Sequence, residues 1–319
     1  MPPLDGVRVL DLTRLLPGAY ATKLLADRGA DVVKIEDPRG GDTMRTLGAR
    51  YFDALNHGKK SVTLDLRSAD ASAVLDALLA RADVVVDSFR PSTAARLGVD
   101  AATLRRRHPR LICASMIGFP RDSTSAERPA HDINYEALAG LLRPPVAPGP
   151  LVADIGAAMQ TAIAVLAAIV ERQRTGVGAA IDVPLSEAAR EWTLFPSTRD
   201  FESACYALYE TADGGWLALG ALEAKFWQTF CAALERPEFL PLQHARRFDE
   251  IRAVMRTKTR DEWLARFEGV DTCLTPVVGP PDSPARAKAP SLGADTDAVL
   301  EAAGLDAASR ARLRDRRVI

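Results

Sequence analysis

The sequence has few residues of the kinds that build metal centres and disulfides. Its four cysteines, Cys113, Cys205, Cys231 and Cys273, are scattered without CxxC spacing, and only four histidines are present. This pattern supports neither a zinc site nor a disulfide framework, so most of the cysteines are expected to be small buried apolar residues. Free thiols suit a reducing compartment, and we predict a cytoplasmic protein without a metal centre.

The chain also lacks the short motifs of several large enzyme classes. No G-x-G-x-x-G follows the first predicted strand, and no G-x-x-x-x-G-K-[ST], G-x-S-x-G or H-E-x-x-H occurs. These absences argue against NAD or ATP use, against a serine nucleophile elbow and against a zinc metalloprotease.

Neither sign of charge is in excess. Lysine and arginine number 41 against 42 aspartates and glutamates, for a net charge of -1, which gives no general attraction to nucleic acid or to an anionic membrane. The amino-terminal sequence MPPLDGVRVLDLTR lacks the basic and apolar regions of a signal peptide. The longest apolar stretch, 157–170, is alanine-rich and ends in charged residues, which favours a buried helix over a membrane span.

The first half of the chain alternates short apolar strands with helices. A chain of 319 residues, 47% of them hydrophobic, suffices for one large domain or two moderate ones. Strands are predicted over 7–12, 31–35, 61–66, 82–88 and 111–115, with helices over 19–28 and 68–81. This alternation predicts an α/β fold, a Rossmann-like domain with a mostly parallel sheet covered by helices.

The second half changes character after residue 187. A proline-rich loop over 117–152 precedes a long helix predicted over 156–175 and a strand over 180–183. Later, a hairpin over 206–209 and 216–219 and helices over 223–234, 248–255 and 260–267 indicate a smaller α+β domain. We predict a large domain over 1–190, to which the tail 290–319 returns, and a small domain over 195–285.

Three residues are candidates for acid–base chemistry, and each also has an ordinary structural role. His131 lies in PAHDINY, where it is either functional or a loop histidine beside a helix cap at Asp132. Asp154 is expected as the N-cap of the long helix, whose free N–H groups would also stabilise negative charge on a substrate. Glu223 opens a helix, where a carboxylate is favourable in itself or would orient a histidine.

Basic residues concentrate in the first third of the chain. Several lie near the predicted strand ends, where open α/β sheets bind ligands. A phosphorylated ligand would account for them, and so would a solvated surface. They are Arg39, Arg45, Lys59, Lys60, Arg67, Arg90 and Arg96.

A set of longer blocks points to a family. They begin with PLDGVRVLDLTRLLPGAYATKLLADRGADVVKIEDPRGGD and continue through NHGKKSVTLDLRS, ADVVVDSFRPSTAARLGV and PRLICASMIGFP. HDINYEALAGLL, LVADIGAAMQTAIAVLAAIVERQRTGVGAAIDVPLSE, YETADGGWLALGALEAKFW and CLTPV follow. Together they cover nearly the whole chain in order, and the sequence resembles the class III CoA-transferase family, which includes the α-methylacyl-CoA racemases.

The resemblance implies an activity and its residues. Racemases of this family carry a G-H-D-I-N-Y block, matched here from Ala130 to Tyr135, and acidic residues matched by Asp154 and Glu223. They imply a racemase or epimerase that inverts the α-carbon of a 2-methyl-branched acyl-CoA. His131, paired with Glu223, would serve one face of that carbon and Asp154 the other. The resemblance implies no cofactor beyond the coenzyme A of the substrate.

The resemblance also implies a coenzyme A site and an assembly. The site residues that it implies are Arg39, Leu64, Asp65, Leu66, Arg67, Ser88, Phe89, Arg90, Arg96, Ala130, Asp132, Ile133, Asn134 and Tyr135. Asp37 stands where some racemases have an arginine, which leaves Arg39 or Arg45 to replace it. Ala157 and Ala158 stand where relatives often have glycines, and they are expected to crowd the thioester. The expected partners are an acyl-CoA and a second copy in an interlocked homodimer, without nucleic acid or membrane.

Two other functions stay open on the sequence. One is a class III CoA transferase with Asp154 as the nucleophile, since transferases of the family have an aspartate at the same place. The other is a CoA-binding homologue without catalysis, suggested by Ala157 and Ala158.

Overall fold

The computed structural model describes residues 1–146, 149–279 and 287–319. The chain divides into two compact units, one formed by Met1–Leu194 with Pro284–Ile319 and the other by Phe195–Ser283. Each unit has a hydrophobic core of its own.

The larger unit is built on a six-stranded sheet in the order β3-β2-β1-β4-β5-β6. Every neighbouring pair in it is parallel. Its strands are β1 (Arg8–Leu12), β2 (Asp31–Glu36), β3 (Lys60–Thr63), β4 (Val84–Asp87), β5 (Ile112–Ile117) and β6 (Ala180–Pro184). The strand order reverses between β1 and β4, and the prediction of a Rossmann-like parallel sheet is confirmed.

Helices cover both faces of this sheet. They are α1 (Leu15–Ala26), α2 (Met44–Leu47), α3 (Ala49–Asn56), α4 (Ala71–Leu79), α5 (Pro91–Leu97), α6 (Ala101–Arg107), α7 (Asp132–Ala139), α8 (Val152–Thr175), α9 (Leu185–Glu191), α13 (Thr296–Ala302) and α14 (Ala307–Asp315). Because successive strand residues face opposite sides, Val9 and Val84 pack towards α1 and α8, whereas Leu10 and Val85 pack towards α4 and the carboxyl-terminal helices.

The carboxyl-terminal segment covers the edge strand β3. The amide of Ser61 donates to Asp295 at 2.8 Å, and the amide of Thr63 donates to the Thr296 hydroxyl at 3.0 Å. These bonds satisfy backbone groups that an open sheet edge leaves unpaired. They fasten the tail to the larger unit.

Two predicted boundaries in the larger unit need correction. The long helix α8 begins at Val152, four residues before the predicted start, because Leu151 rather than Asp154 is the residue that precedes its first turn. The proline-rich loop contains a helix, α7, which sequence patterning missed because it is short and has no clear apolar periodicity. Both corrections fall on the segments that carry the candidate residues.

Helix α8 is long and apolar enough to cross a membrane by length and composition alone, and half of its most apolar window is buried. Ala162, Val165 and Ile169 pack against the sheet in the core of the larger unit. This packing makes α8 a core helix, as its alanine-rich sequence predicts.

The smaller unit has a three-stranded antiparallel sheet in the order β7-β8-β9. Its elements are β7 (Tyr206–Glu210), β8 (Trp216–Gly220), α10 (Ala224–Leu234), α11 (Asp249–Met255), α12 (Arg260–Arg266) and β9 (Leu274–Pro276). The predicted hairpin and three helices are present, and β9 adds a strand that the sequence pattern did not indicate. The aromatic residues Trp227, Phe230 and Trp263 fill the core.

Candidate functional site

A buried ionic network lies beneath the turn between β1 and α1. Lys59 donates to Asp11 at 3.2 Å and to the Thr22 hydroxyl at 2.8 Å, and Lys34 lies 3.1 Å from Asp42. Burial raises the pKa of Asp11, but the two lysines and its hydroxyl partners outweigh burial and lower that pKa to about 2. Lys59 therefore holds the fold together and is not a free ligand-binding cation.

The same network fixes a strained turn. Leu15 has a φ of 64°, a left-handed conformation that leucine rarely adopts. Its amide donates to Asp42 at 3.2 Å, and the amide of Arg14 donates to the Ser88 hydroxyl at 3.0 Å. The turn is thus held to the loop after β2 and to the residue after β4, and backbone strain held in this way is common at functional sites.

A cavity of about 270 Å³ opens at the carboxyl ends of β1 to β4, where parallel α/β sheets bind ligands. Six of the residues predicted to contact coenzyme A line it, namely Leu64, Asp65, Leu66, Arg67, Phe89 and Arg96. A neighbouring cavity of about 590 Å³ shares Leu66, Arg67, Arg96 and Leu97 with it and extends along α4. The two cavities together form a groove with arginines along its length.

Four alternating charges surround the mouth of this groove. Arg67 bonds to Asp37 at 2.7 Å and to Asp65 at 2.9 Å, and Arg39 bonds to Asp65 at 2.9 Å and to Asp37 at 3.0 Å. The sequence analysis expected Arg39 or Arg45 to replace an arginine at position 37. Arg45 makes two 2.7 Å bonds to Glu36. Neither Arg39 nor Arg45 is among the described residues that line the two cavities, so the replacement by Arg39 stays a prediction.

Several lining residues escaped the sequence analysis. Arg14, Thr13, Asp42 and Thr93 also line the smaller cavity. Arg14 lies two residues after the end of β1, and its guanidinium lies 5.7 Å from the centre of the Phe89 ring. Its position just after the first strand was the available signal, because such positions meet at the ligand edge of a parallel sheet.

The HDINY block forms the start of α7. The amide of His131 donates to the Asn134 side chain at 3.0 Å, and the His131 side chain is exposed. Tyr135 is buried against Phe119, with ring centroids 5.5 Å apart. Burial, assisted by the charge of Asp154, raises the pKa of Tyr135 to about 12, so this hydroxyl stays protonated at neutral pH. The block therefore presents His131 at the surface on a fixed backbone.

Asp154 lies in the first turn of α8 and is partly buried. Burial, and then the negative charge of Asp132, raise the pKa of Asp154 to about 7. A carboxyl with such a pKa is present in both protonation states near neutral pH, as a group that both gives and takes a proton requires.

The amide at this helix end is already used. The backbone N–H of Asp154 donates to Oδ1 of Asp132 at 2.9 Å, which joins the first turn of α8 to the first turn of α7. The sequence analysis expected Asp154 to be the N-cap and to offer free amides to a substrate. The N-cap expectation is wrong, because α8 begins at Val152 and Asp154 lies within its first turn. The amide of Asp154 itself is not free, since Asp132 accepts its N–H.

Glu136 is a further buried acid at this place, and sequence reasoning missed it. Its side chain and that of Asp132 are each 4% exposed, one helical turn apart in α7. Burial, then the adjoining Asp132, raise the pKa of Glu136 to about 7. The available signal was a second acid four positions after Asp132 in the sequence DINYE.

Ala157 and Ala158 do not lie at an open surface. Both are fully buried and pack with Met116, Ala188 and other residues beneath α9. The expectation that their methyl groups crowd a bound thioester is wrong, because they face the core. Gly156 is the crowded position of this turn, since an added Cβ would lie 2.8 Å from Nε1 of Trp192.

Glu223 lies in the smaller unit, at the N-cap of α10, with an exposed side chain. A cavity of about 970 Å³ in the same unit is lined by Leu208, Trp216, Gly220 and Arg252 among others. Gly220 precedes Glu223 closely in the chain, so the cavity and the glutamate belong to neighbouring parts of this unit. Among the described residues, no group of three or more His, Cys, Asp or Glu side chains is arranged to hold a metal ion.

The chain is similar in sequence to known proteins that act on CoA thioesters. The profile of CoA-transferase family III matches residues 4–288. The chain is 33% identical to the human α-methylacyl-CoA racemase over 308 residues, which covers 86% of the chain and 78% of that protein. It is 36% identical to the succinyl-CoA:mesaconate CoA-transferase of Haloarcula hispanica over 274 residues, covering 75% of the chain and 69% of that protein.

Solved structures show the same fold. A CaiB/BaiF family protein from Brucella suis superimposes with a TM-score of 0.81 at 25% identity, covering 95% of the chain and 99% of that structure. The Rv3272 protein from Mycobacterium tuberculosis gives a TM-score of 0.80 at 27% identity, covering 94% and 99%. The sequence and structural similarities agree, and the chain belongs to the class III CoA-transferase family. Racemases and CoA transferases are both among its relatives.

Proposed function

We propose that the protein is a racemase or epimerase that inverts the α-carbon of a 2-methyl-branched acyl-CoA thioester. The observation that carries the proposal is Asp154, a partly buried carboxyl whose pKa is raised to about 7 at the amino end of α8. The similarity to the human racemase supports it.

The reaction needs two proton-transfer groups on opposite faces of one carbon. One group, as its base form, takes the α-proton, and the C–H electron pair moves into the thioester as an enolate. The other group, as its acid form, returns a proton to the opposite face, and the configuration is inverted. Asp154 would be one of these groups and His131 the other.

His131 is suited to its part by its position. Its backbone amide donates to the Asn134 side chain, and its own side chain is exposed. Asp132, the next residue, bonds to the amide of Asp154, so the two proposed groups start from neighbouring helix ends. Glu223 would orient and charge the histidine, as the family resemblance implies.

Coenzyme A would bind at the carboxyl ends of the parallel strands. Leu64 to Arg67, Phe89 and Arg96 line the groove there, and Arg39 adds charge at its mouth. The Ser88 hydroxyl accepts the backbone amide of Arg14. We propose that Ser88 and Arg90 support the residues that contact coenzyme A. Ala130, Asp132, Ile133, Asn134 and Tyr135 would flank the pantetheine end, beside the acid–base pair.

We also propose a homodimer in the cytoplasm. Helix α8 carries exposed apolar side chains at Met159, Ile163 and Val170, with exposures of 43%, 66% and 55%. Apolar residues spaced along one helix face in this way suit burial against a second copy. Sedimentation velocity tests the assembly, and a concentration-independent monomer would contradict it.

Deuterium exchange tests the activity. Each enantiomer of a 2-methylacyl-CoA panel is incubated in D₂O, and both inversion and α-deuterium uptake are followed. In a two-base reaction, His131→Ala and Asp154→Asn each abolish inversion, while each variant keeps exchange from the enantiomer that its remaining base serves. His57→Ala, outside the site, is the matched control and should behave as wild type. Absence of exchange with every branched acyl-CoA would overturn the proposal.

A CoA transferase is the second candidate, favoured by the similarity to the Haloarcula enzyme. Asp154 would then attack the thioester carbonyl, release CoA thiolate and form a mixed anhydride. Intact mass spectrometry after incubation with acyl-CoA donors, with hydroxylamine or borohydride as a trap, distinguishes the two. An adduct at Asp154 without α-exchange would establish transfer, and exchange without an adduct would exclude it.

A further inference from the structure

We propose that Glu136 is a positioning residue for Asp154: Glu136 and Asp132 share a single proton, and this pair fastens the first turn of α8 through the Asp154 amide. The inference rests on the proposed function only in giving Asp154 its acid–base part. The paired carboxyls themselves are a property of the protein without substrate.

The geometry brings two buried carboxyls together. Asp132 and Glu136 lie one turn apart on α7, a spacing at which helical side chains are neighbours. Each is 4% exposed, so water does little to separate their charges. Like charges held in this way cannot both ionise at moderate cost.

Two buried carboxyl oxygens of this pair lack a hydrogen-bond donor, and a shared proton would supply one. Oδ1 of Asp132 accepts the Asp154 amide at 2.9 Å. Its other oxygen, Oδ2, and Oε1 of Glu136 are buried and accept no hydrogen bond from the described residues. A buried acceptor without a donor costs about 1–3 kcal/mol. One carboxyl proton between the two side chains would satisfy both oxygens at once.

Among the described residues, the charges that act most on Glu136 are those of other acids and not of a cation. Glu136 experiences the charges of Asp132 on its own helix and of Asp154 on α8, which both raise its pKa, and the Val152 amide, which lowers it. Helix α9 also packs on α7. Its charged side chains bond elsewhere, Arg190 to Glu187 at 3.5 Å and Glu191 to Gln160 at 2.6 Å.

The shared proton affects Asp154 in two ways. It keeps Asp132 in place as the acceptor of the Asp154 amide, which fixes the first turn of α8. It also limits the negative charge near Asp154 to about one unit over two carboxyls. Both the direction and the proton affinity of Asp154 therefore depend on Glu136, which need not touch substrate.

Carboxyl titration without substrate tests the shared proton. Protein labelled with ¹³C at the side-chain carboxyls of aspartate and glutamate is titrated by NMR, as wild type, Glu136→Gln, Glu136→Leu and the surface control Glu171→Gln. The glutamate signal absent from both Glu136 variants should titrate near neutral pH in the wild type, and it should persist in the control. A midpoint at the ordinary glutamate value, near 4.3, would overturn the proposal whatever the enzyme does.

The exchange reaction tests the positioning role. Glutamine keeps an N–H donor towards Asp132, so Glu136→Gln should retain exchange within about threefold of wild type. Leucine removes the donor, so Glu136→Leu should lose at least tenfold and shift the pH midpoint assigned to Asp154. Equal loss in both variants, or an unshifted profile in Glu136→Leu, would overturn the role.

The two failures are distinguishable. If neither the wild type nor any variant exchanges the α-hydrogen, the proposed function fails. The positioning role is then tested on the carboxyl NMR signal of Asp154 in place of the pH profile of the rate. The titration midpoint of that signal should move in Glu136→Leu and stay unchanged in Glu136→Gln. Melting temperatures of all four proteins identify a variant that does not fold. If Glu136→Leu does not fold, the NMR titration of Glu136→Gln alone tests the proposal. In that variant one glutamate signal that titrates near neutral pH should disappear, and the titration midpoint of Asp154 should stay unchanged.

Discussion

The backbone amide of Asp154 donates to the carboxylate of Asp132 at 2.9 Å, across a separation of 22 residues in the chain. This bond joins the amino ends of α7 and α8, the two helices that carry the proposed acid–base groups. A carboxylate near a helix amino terminus is stabilised by the helix dipole, so Asp132 is favourable there although buried. The arrangement makes the local stability of both helix ends depend on one side chain.

Replacement of Asp132 by leucine should loosen this junction. The Asp154 amide loses its acceptor, which predicts a loss of about 1–3 kcal/mol in the free energy of unfolding. Removal of the Asp132 charge should also lower the pKa of Asp154, since that charge helps to raise it. Urea denaturation and carboxyl ¹³C titration measure the two effects. An unchanged titration midpoint of Asp154 in this variant would show that burial alone raises the pKa of Asp154.

Asp154→Asn should stabilise the protein at high pH and not at low pH. The pKa of Asp154 is raised in the fold from 3.8 to about 7, so the folded state binds the proton more tightly than the unfolded state. That contribution is fully present below the unfolded pKa and is lost as pH rises through about 7. The variant should gain about 2–4 kcal/mol relative to wild type between pH 4 and pH 8. Thermal unfolding across this range checks the sign, and a constant difference would contradict it.

Arg67→Ala should weaken coenzyme A binding about tenfold, because the arginine lines the groove proposed for coenzyme A and would lose its proposed contact with a phosphate. The loss should shrink as ionic strength rises, since exposed charges are screened. Titration calorimetry with free coenzyme A at low and high salt measures both. Arg81→Ala, an exposed arginine at the end of α4, is the control, and equal weakening in both variants would point to a general charge effect.

Asp11→Asn should destabilise the fold strongly. It leaves Lys34 and Lys59 buried without their shared partner, which costs about 3–5 kcal/mol. Since the pKa of Asp11 is lowered in the fold, its stabilisation is present above the unfolded value of 3.8 and is lost as pH falls towards 2. Urea denaturation at neutral pH measures the loss. Asp27→Asn, which breaks a surface pair with Lys23, should stay near wild type.

Gly156→Ala should displace Trp192 from the first turn of α8. A Cβ there would lie 2.8 Å from Nε1 of Trp192, which donates to the carbonyl of Val152 at 3.1 Å. The indole would lose this bond and become more exposed, which shifts tryptophan fluorescence to longer wavelength. Gly40→Ala, where an added Cβ meets nothing within 4 Å, should leave the spectrum unchanged.

Much of the fold followed from the sequence because its signals are local. Apolar strands such as 31–35 and 82–88 are buried on both faces, so each is read directly from a run of valine and isoleucine. The end of α8 at Gly176 is also predicted by a local signal, since this residue has a φ of 73°, a conformation that glycine adopts freely. The strand order was not predicted, because it depends on pairing between strands that are far apart in the chain.

The candidate site followed only in part, because its decisive contacts are long-range. Nothing near Asp154 in the chain indicates that Asp132 occupies its amide, or that Glu136 lies buried beside Asp132. Ala157 and Ala158 were misjudged for the same reason, since the direction of a side chain depends on where α9 packs. Arg45 was one of two arginines considered for the ligand, and it instead pairs with Glu36 and the carbonyl of Pro290, contacts that the sequence does not indicate.

The bond between Asp132 and Asp154 also bears on which changes in the chain between α7 and α8 the protein can tolerate. The amino ends of α7 and α8, which carry the proposed acid–base groups, are joined directly by this bond and not only through the chain that connects them. That stretch can therefore lengthen, shorten or change composition while the acid–base groups keep their positions.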